Sequence, residues 1–165
     1  MNKTKRKIFE ASMKLFADKG YDATSIEEIT ATVGVAKGTL YYHFSSKEEI
    51  FNFLVDEGVK LLKNSISIKT AKMNNSLDRI RAIVLIQIKI LFKYENFMTI
   101  ILSQIWGNDD RSKMCKKYVF EYIQMIEEIV KEGIQKKEII DRDADIIASG
   151  IFGFTCSSFI YKMKH

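Results

Sequence analysis

Hydrophobic and polar positions recur with the spacing of an α-helix along almost the whole chain. In the first segment the apolar residues repeat every three or four positions and form one face, at Ile8, Ala11, Leu15 and Phe16. No segment shows the strict alternation that is typical of a strand. The chain has no proline and only eight glycines, the two residue types that interrupt helices. The sequence therefore predicts an all-α fold.

Helix boundaries in the N-terminal part can be predicted from capping residues. The first helix is expected to end near Lys19 and Gly20, because glycine tolerates the left-handed conformation of a C-cap. The stretch 25–28, Ser-Ile-Glu-Glu, has the form of a capping box and predicts a short helix that stops at Gly34. Another short helix is expected from about Lys37 to His43. A second capping box at 46–49 begins a longer helix towards residue 65.

The rest of the chain predicts longer helices. Residues 74–76 form a break, and helical apolar spacing follows over 77–91 and, in a shorter segment, over 97–106. A long amphipathic helix is expected to end within 133–137, and a last helix to start near residue 143. We place a DNA-binding domain at residues 1–47 and a helical ligand-binding and dimerisation domain at 48–165.

Charge and cysteine content narrow the function classes. The net charge is +5, of which +3 falls on residues 1–47, and such a basic excess favours a polyanionic partner. Cys115 and Cys156 lack CxxC spacing and are expected to be buried or free thiols. The N-terminus lacks the apolar run of a signal peptide, and the longest uncharged run has 16 residues. A cytoplasmic protein is expected.

Helix, glycine-centred turn and second helix are the sequence form of a helix-turn-helix. Packing of Ile29, Val35 and Leu40 would leave one face of the second helix free to meet a duplex. That face carries groups suited to phosphates and base edges, at Lys37, Gly38, Thr39, Tyr42 and His43. The hydroxyls of Thr24 and Ser25, and Lys47 at the start of the next helix, are expected to reach phosphates.

The stretch 34–44, GVAKGTLYYHF, followed by SKEE at 46–49, resembles the DNA-binding signature of the tetracycline-repressor (TetR/AcrR) family. The resemblance covers about residues 4–55. It implies an all-α homodimer with N-terminal DNA-binding heads, a helical core, and release from the operator when a small molecule binds. It also implies that Lys37, Gly38 and Thr39 approach bases, and that phosphates are met by Thr24, Tyr41, Tyr42, His43 and Lys47.

The sequence departs from the family pattern at a few positions. Thr30 and Val33 stand where the family often has alanine, and Ala36 stands where serine or threonine is frequent, so one capping hydroxyl is missing. The usual last helix of the family is expected to be lacking. Two assignments stay open, because Tyr41 is either a core residue or a phosphate contact and His43 is either structural or a phosphate contact.

The C-terminal part offers two weaker sets of candidate residues. A largely apolar effector pocket is predicted from aromatic and methionine side chains, although helical spacing equally fits plain core, at Phe92, Met98, Trp106, Tyr122 and Phe152. A stripe of small residues on the last helix predicts either close intramolecular packing or a dimer interface, at Ile146, Gly150, Gly153 and Ser157.

Three function classes compete. The favoured one is a repressor released from a palindromic operator by a small molecule, and the alternative is a regulator controlled by a protein partner or acting as an activator. An enzyme is disfavoured, because the only histidines are His43 and His165 and no catalytic triad, metal-ligand spacing or glycine-rich phosphate loop occurs. No cofactor and no metal are expected.

Overall fold

The computed structural model describes residues 2–164, with the side chains of all of these except 159 and 162–164. Over that range the chain forms eight α-helices and no strand, which confirms the all-α prediction. The helices are α1 Lys3–Lys19, α2 Ile26–Val33, α3 Lys37–His43, α4 Lys47–Thr70, α5 Ser76–Lys93, α6 Glu95–Gln104, α7 Asp110–Gln135 and α8 Ala144–Lys164. None of these helices is long and apolar enough to cross a membrane.

Most helix ends lie where the capping residues predicted them. Gly20 follows α1 with a φ of +86°, although its ψ of 161° lies outside the left-handed helical region. The break before α5 is confirmed, since Asn75 caps that helix through its side chain. Asp109 accepts the backbone N–H of Ser112 at 2.8 Å and so begins α7, as a helix-start residue should. The helix predicted over 97–106 is shifted and runs from Glu95 to Gln104.

The chain divides into two compact units. Unit 1 comprises Met1–Val59 and Glu95–Cys115, and unit 2 comprises Lys60–Tyr94 and Lys116–His165. Both α4 and α7 contribute residues to each unit. The two units are defined by how densely their residues pack together, which does not test function. The boundary between a DNA-binding and a ligand-binding domain at residues 47 and 48 therefore stays a prediction.

The core of unit 1 is formed by fully buried side chains of the first four helices, together with Phe44, which caps the end of α3. The helical members include Ile8, Ile29, Leu40, Phe51 and Leu54. Rings join this core edge to face or tilted, with centroids 5.3 Å apart for Phe16 and Tyr21 and for Tyr21 and Phe51. Helix α6 packs on α1 and α4, and Gly58 leaves the space in which the ring of Phe97 lies. Burying the apolar faces of α1 to α4 holds the short α2 and α3 in place, since helices of this length are not stable alone.

The core of unit 2 brings together α4, α5, α7 and α8 around Ile66, Ile83, Ile126, Val130 and Ala148. The hydroxyl of Tyr122 donates a hydrogen bond of 2.7 Å to the Gln87 side chain inside it. Burial raises the pKa of the Cys115 and Cys156 thiols to about 11, in unit 1 and unit 2 respectively. Both cysteines are free, as predicted, and neither is activated as a nucleophile.

Candidate nucleic-acid interface

The first helix of the predicted helix-turn-helix starts with a complete capping box. Ser25 Oγ accepts the backbone N–H of Glu28 at 3.1 Å, and the Glu28 carboxylate accepts the backbone N–H of Ser25 at 3.0 Å. Lys19 also donates to this carboxylate at 2.5 Å. Two hydrogen bonds lower the pKa of the Glu28 carboxyl to about 2. The larger effect comes from the Lys19 ammonium and the next from the backbone N–H of Ser25. The start of α2 is therefore fixed by a charged group on α1 as well as by its own cap.

The turn between α2 and α3 has the predicted geometry. Gly34 adopts φ +73° and ψ +40°, a left-handed conformation that disfavours any residue with a side chain. Backbone N–H groups of Gly34 and Val35 both donate to the carbonyl of Thr30, which closes the end of α2. Ile29 and Leu40 are fully buried and Val35 is half-buried, so α3 is fixed against α2. Ala36 caps α3 without a side-chain hydrogen bond, as the missing hydroxyl predicted.

The outward face of α3 is open to solvent. Tyr42 is 83% exposed, and Tyr41 is 44% exposed, too much for a core residue. Lys37 and Gly38 are exposed and Thr39 is half-buried, and a Cβ on Gly38 would meet nothing within 4 Å. His43 is half-buried, with its ring centroid 5.0 Å from that of Tyr42. These six positions are thus exposed or half-exposed on α3, and their contacts with DNA stay predictions.

Lys37 has a partner that the sequence analysis missed. Its ammonium lies 2.5 Å from the carboxylate of Glu27 in the first turn of α2. This contact raises the pKa of Lys37 and lowers the pKa of Glu27, and in each case the hydrogen bond between them is the largest cause. The ten-residue separation across a turn gives no helical i,i+4 signal, so only the folded geometry reveals the pair.

Three predicted phosphate contacts have structural roles. The Thr24 side chain is 1% exposed, and its hydroxyl donates to the carbonyls of Gly20 and Leu15. Ser25 is engaged in the capping box. Lys47 donates to the carbonyls of Tyr21 and Thr24, at 2.9 and 2.8 Å, and its ammonium lies 4.3 Å from the Tyr21 ring centroid. These groups hold the turn before α2, and any further contact with phosphate stays a prediction.

A second cation lies on Tyr21. The guanidinium of Arg111, in the first turn of α7, is 3.9 Å from the ring centroid. Arg111 also pairs with Asp22 at 3.3 Å and with Asp109 at 2.5 Å. The turn between α1 and α2 is therefore held by charged side chains from the first turns of α4 and α7. A separation of about ninety residues hides this arrangement from sequence reasoning.

The residues predicted for an effector pocket lie in both units. Met98 and Trp106 belong to unit 1, where Trp106 is 85% exposed. Tyr122 and Phe152 contact each other in unit 2, with ring centroids 6.0 Å apart, and Phe92 lies in the same unit. A cavity of unit 2 between α4 and α5 is lined by none of these five. Their role in ligand binding stays a prediction.

The small-residue stripe of α8 is exposed along its length. A Cβ on Gly150 or Gly153 would meet nothing within 4 Å, and Ile146 is exposed. Large apolar residues extend the same face, at Phe154, Ile160 and Tyr161. Among the described side chains, none packs against the two glycines of this stripe, which leaves the alternative of an interface between chains.

Comparison with known proteins supports the helix-turn-helix assignment. The family model described as bacterial regulatory proteins, tetR family, matches residues 8–53. IcaR of Staphylococcus aureus, the negative transcriptional regulator of the biofilm operon icaADBC, is 39% identical over 74 residues, which are 45% of this chain and 40% of IcaR. The matched region thus spans about two fifths of the length of these curated relatives.

Solved structures match over nearly the whole chain. A proposed fatty acid metabolism regulator of Clostridium perfringens is 34% identical, with a TM-score of 0.89 over 96% of this chain and 86% of that one. The ketosteroid regulator KstR2 of Mycobacterium tuberculosis is 22% identical, with a TM-score of 0.83 over 98% of this chain and 84% of that one. AibR, solved with isovaleryl coenzyme A and operator DNA, is 22% identical with a TM-score of 0.80, over 93% and 84% of the two chains. The latter two show that the fold is shared.

Proposed function

The chain belongs to the TetR family of bacterial regulatory proteins, and from this premise we propose that it is a transcriptional repressor that binds operator DNA through α3. The observation that carries the proposal is the outward face of α3, where Lys37, Gly38 and Tyr42 are exposed on a helix whose inner face is anchored by buried Leu40. A recognition helix requires this combination of an inner face packed against the domain core and an outer face open to the DNA.

The groups on this face divide by chemistry. Gly38 lets the α3 backbone approach a base edge, and Lys37 reaches a guanine or a phosphate once it leaves Glu27. Tyr41, Tyr42 and His43 offer donors to phosphate oxygens. Because Thr24, Ser25 and Lys47 are engaged in intramolecular hydrogen bonds, we assign them first to holding α2 and only second to phosphate contact.

We further propose a homodimer that is joined through the exposed face of α8 and acts in the cytoplasm without catalytic activity. Two recognition helices in successive major grooves, about 34–36 Å apart, would then read a near-palindromic operator. A small molecule bound in the helical core would change the separation of the two heads through α4 and release the DNA. Coupling of about 1–3 kcal/mol is typical of such switches. Control by a protein partner, or activation, is the alternative.

The test is a mobility shift with the DNA upstream of the gene, comparing wild type with Lys37→Ala and Tyr42→Ala. Both variants should weaken binding, and Lys37→Ala should lower the salt slope by about one unit if the side chain meets a phosphate. Lys14→Ala removes an exposed lysine from α1 and is the matched control. Unchanged binding by both α3 variants would refute the assignment of the recognition helix. A small molecule that changes operator affinity would favour ligand release over a protein partner.

A further inference from the structure

An open apolar groove runs along unit 2 between the C-terminal half of α4 and the length of α5. Its volume is about 980 Å³. The lining is largely aliphatic, with Leu61, Ile68, Ala82, Leu85, Ile86 and Ile90. Ile68 and Leu85 are among the exposed large apolar residues of the chain. This volume lies in the range of sites for small molecules, and its apolar wall is expensive to leave in contact with water.

The rim of the groove is basic. Five cationic side chains line it against one carboxylate, and the cations are Lys69, Lys72, Arg81, Lys89 and Lys93. The carboxylate, Asp78, pairs with Arg81 at 3.1 Å. Among the described residues, the ammonium groups of Lys69, Lys72 and Lys89 have no ion-pair partner. The groove therefore combines an apolar wall with unneutralised positive charge.

The charges lie at both ends of the groove. Arg81 and Lys93 are twelve residues apart on α5, a distance of about 18 Å along the helix axis. Lys69 and Lys72, near the end of α4, belong to the end at which the α4–α5 turn lies. A molecule with a long apolar chain and one anionic head fits, because its head meets Lys69 and Lys72 at the end near the α4–α5 turn while its chain covers the aliphatic wall. A neutral apolar ligand would leave the positive charges of the rim without a counter-charge, and a cationic ligand would be repelled by them.

We propose that this groove is the effector site and that its ligand is a free acyl-chain carboxylate, a fatty acid. Binding at the groove stands on the geometry alone, whereas release of DNA by that ligand rests on the proposed function. Helix α4 carries the groove in its C-terminal half and begins at Lys47, whose ammonium holds the turn before α2. Filling the groove moves the C-terminal half of α4, and the same helix transmits the change to its N-terminal end.

Titration calorimetry of the full chain with dodecanoate, below its micellar range, tests the groove directly. One saturating equivalent per chain is expected, with dodecanol at least about tenfold weaker and acetate without binding. Leu85→Glu places a carboxylate on the apolar wall at an exposed position and should weaken dodecanoate binding about tenfold. Ile140→Glu makes the same kind of change at a similarly exposed residue outside the groove and should leave the affinity unchanged.

A second variant separates charge from shape. Lys69→Gln with Lys72→Gln should weaken dodecanoate several-fold and leave dodecanol unchanged, since only the head group meets the ammonium groups. The proposal is overturned if dodecanoate does not saturate, if dodecanol binds equally well, or if Leu85→Glu binds like Ile140→Glu. Capture of an acidic amphipathic peptide in place of dodecanoate would make the groove a protein-docking surface and would also overturn it.

Operator binding is measured in parallel, so that the two proposals fail separately. If dodecanoate binds in the groove and the chain binds no specific DNA, the repressor assignment is wrong, whereas the assignment of the groove as a fatty-acid site is supported. Dodecanoate could also occupy the groove and leave specific DNA binding unchanged. In that case the groove binds fatty acids, but its assignment as the effector site is wrong.

Discussion

At the scale of single residues, the proposed DNA-binding face is partly neutralised by its own neighbour. Glu27 holds Lys37 through a short ion pair in which both side chains are largely exposed. A phosphate or base that takes Lys37 must replace this carboxylate, and the negative charge of Glu27 then remains beside the DNA. Glu27 is therefore expected to oppose the proposed DNA binding, while it supports the first turn of α2, where a negative charge interacts favourably with the helix dipole.

Glu27→Gln should strengthen operator binding by about two- to fivefold, the modest effect expected of an exposed charge interaction. The cause is removal of both the competing partner of Lys37 and a like charge facing phosphate. Mobility shifts at two salt concentrations measure the effect, which should shrink at the higher one. In a Lys37→Ala background the gain should be smaller. Weaker binding by Glu27→Gln alone would mean that Lys37 acts only while held by Glu27.

Glu28 gives a pH-dependent contribution to stability. Its pKa is lowered from 4.5 to about 2 in the folded chain, so its hydrogen bonds stabilise the fold fully above the unfolded value. That stability is lost as pH falls from about 4.5 through about 2, because the unfolded chain binds the proton first. Urea unfolding across this window should show a smaller fall in stability for Glu28→Gln than for wild type. Equal pH dependence of the two proteins would contradict the assignment.

At the scale of elements, α2 and α3 are short helices whose position depends on what holds the turn before them. The ring of Tyr21 is contacted by the Lys47 ammonium and by the Arg111 guanidinium, from the first turns of α4 and α7. The buried Nε of Arg111 has no hydrogen-bond partner among the described residues, so the side chain is held by its other nitrogens and by the ring. Two long helices thus converge on the turn that precedes the helix-turn-helix.

Arg111→Ala should lower the free energy of unfolding by about 1–2 kcal/mol, through loss of the cation–π contact and of the pairing with Asp22 and Asp109. It should also weaken operator binding, although Arg111 lies outside the outward face of α3, because the turn before α2 loses a support. Urea unfolding and mobility shift measure the two effects. Lys113→Ala, which removes an exposed lysine paired with Asp110 on the same helix, should leave both stability and operator binding nearly unchanged. Equal effects of both variants would contradict the argument.

Capping and turn residues predicted where the helices begin and end. The roles of individual side chains depend on partners that are distant in sequence, and the sequence did not predict them. Ser25, Gly34 and the bounds of α3 could be read from the chain because caps and turns depend on neighbouring residues. Helix α4 runs to Thr70 instead of ending near residue 65, since no glycine or proline stops it there. The second capping box is also altered. Ser46 accepts from the Glu49 amide as predicted, but the Glu49 carboxylate returns to Ser45.

The side chains with structural roles that the sequence did not predict are those with distant partners. Thr24 and Lys47 were expected at phosphates because their position at helix starts fits that role. The structure uses them to bind the segment 15–24, from as far as 26 residues away. The apolar positions of unit 2 were correctly placed on helices, but periodicity alone does not distinguish core from cavity wall. For that reason the predicted pocket residues and the α4–α5 groove share no member.

At the scale of the whole molecule, α8 carries an exposed apolar face among the described residues, on which a Cβ at Gly150 or Gly153 would meet nothing within 4 Å. The residues at 146, 150, 153, 154, 157, 160 and 161 fall on one side of the helix, since they repeat at intervals of three and four. Two glycines in a helix interior cost about 2 kcal/mol relative to alanine, so another helix approaching this stripe closely would account for them. A face of this kind on each of two copies forms a self-complementary two-fold interface.

Phe154→Glu should therefore convert the dimer into a monomer, because two carboxylates would face each other in an apolar interface. Sedimentation equilibrium should give half the wild-type mass, while helix content by circular dichroism stays the same, since the side chain is exposed in the single chain. Specific operator binding should fall far more than non-specific binding, because one head alone contacts a half-site and loses the effective concentration that links the two. Ile140→Glu, exposed on the loop before α8, should remain dimeric. A Phe154→Glu protein that keeps both the dimer mass and operator binding would place the interface on another face.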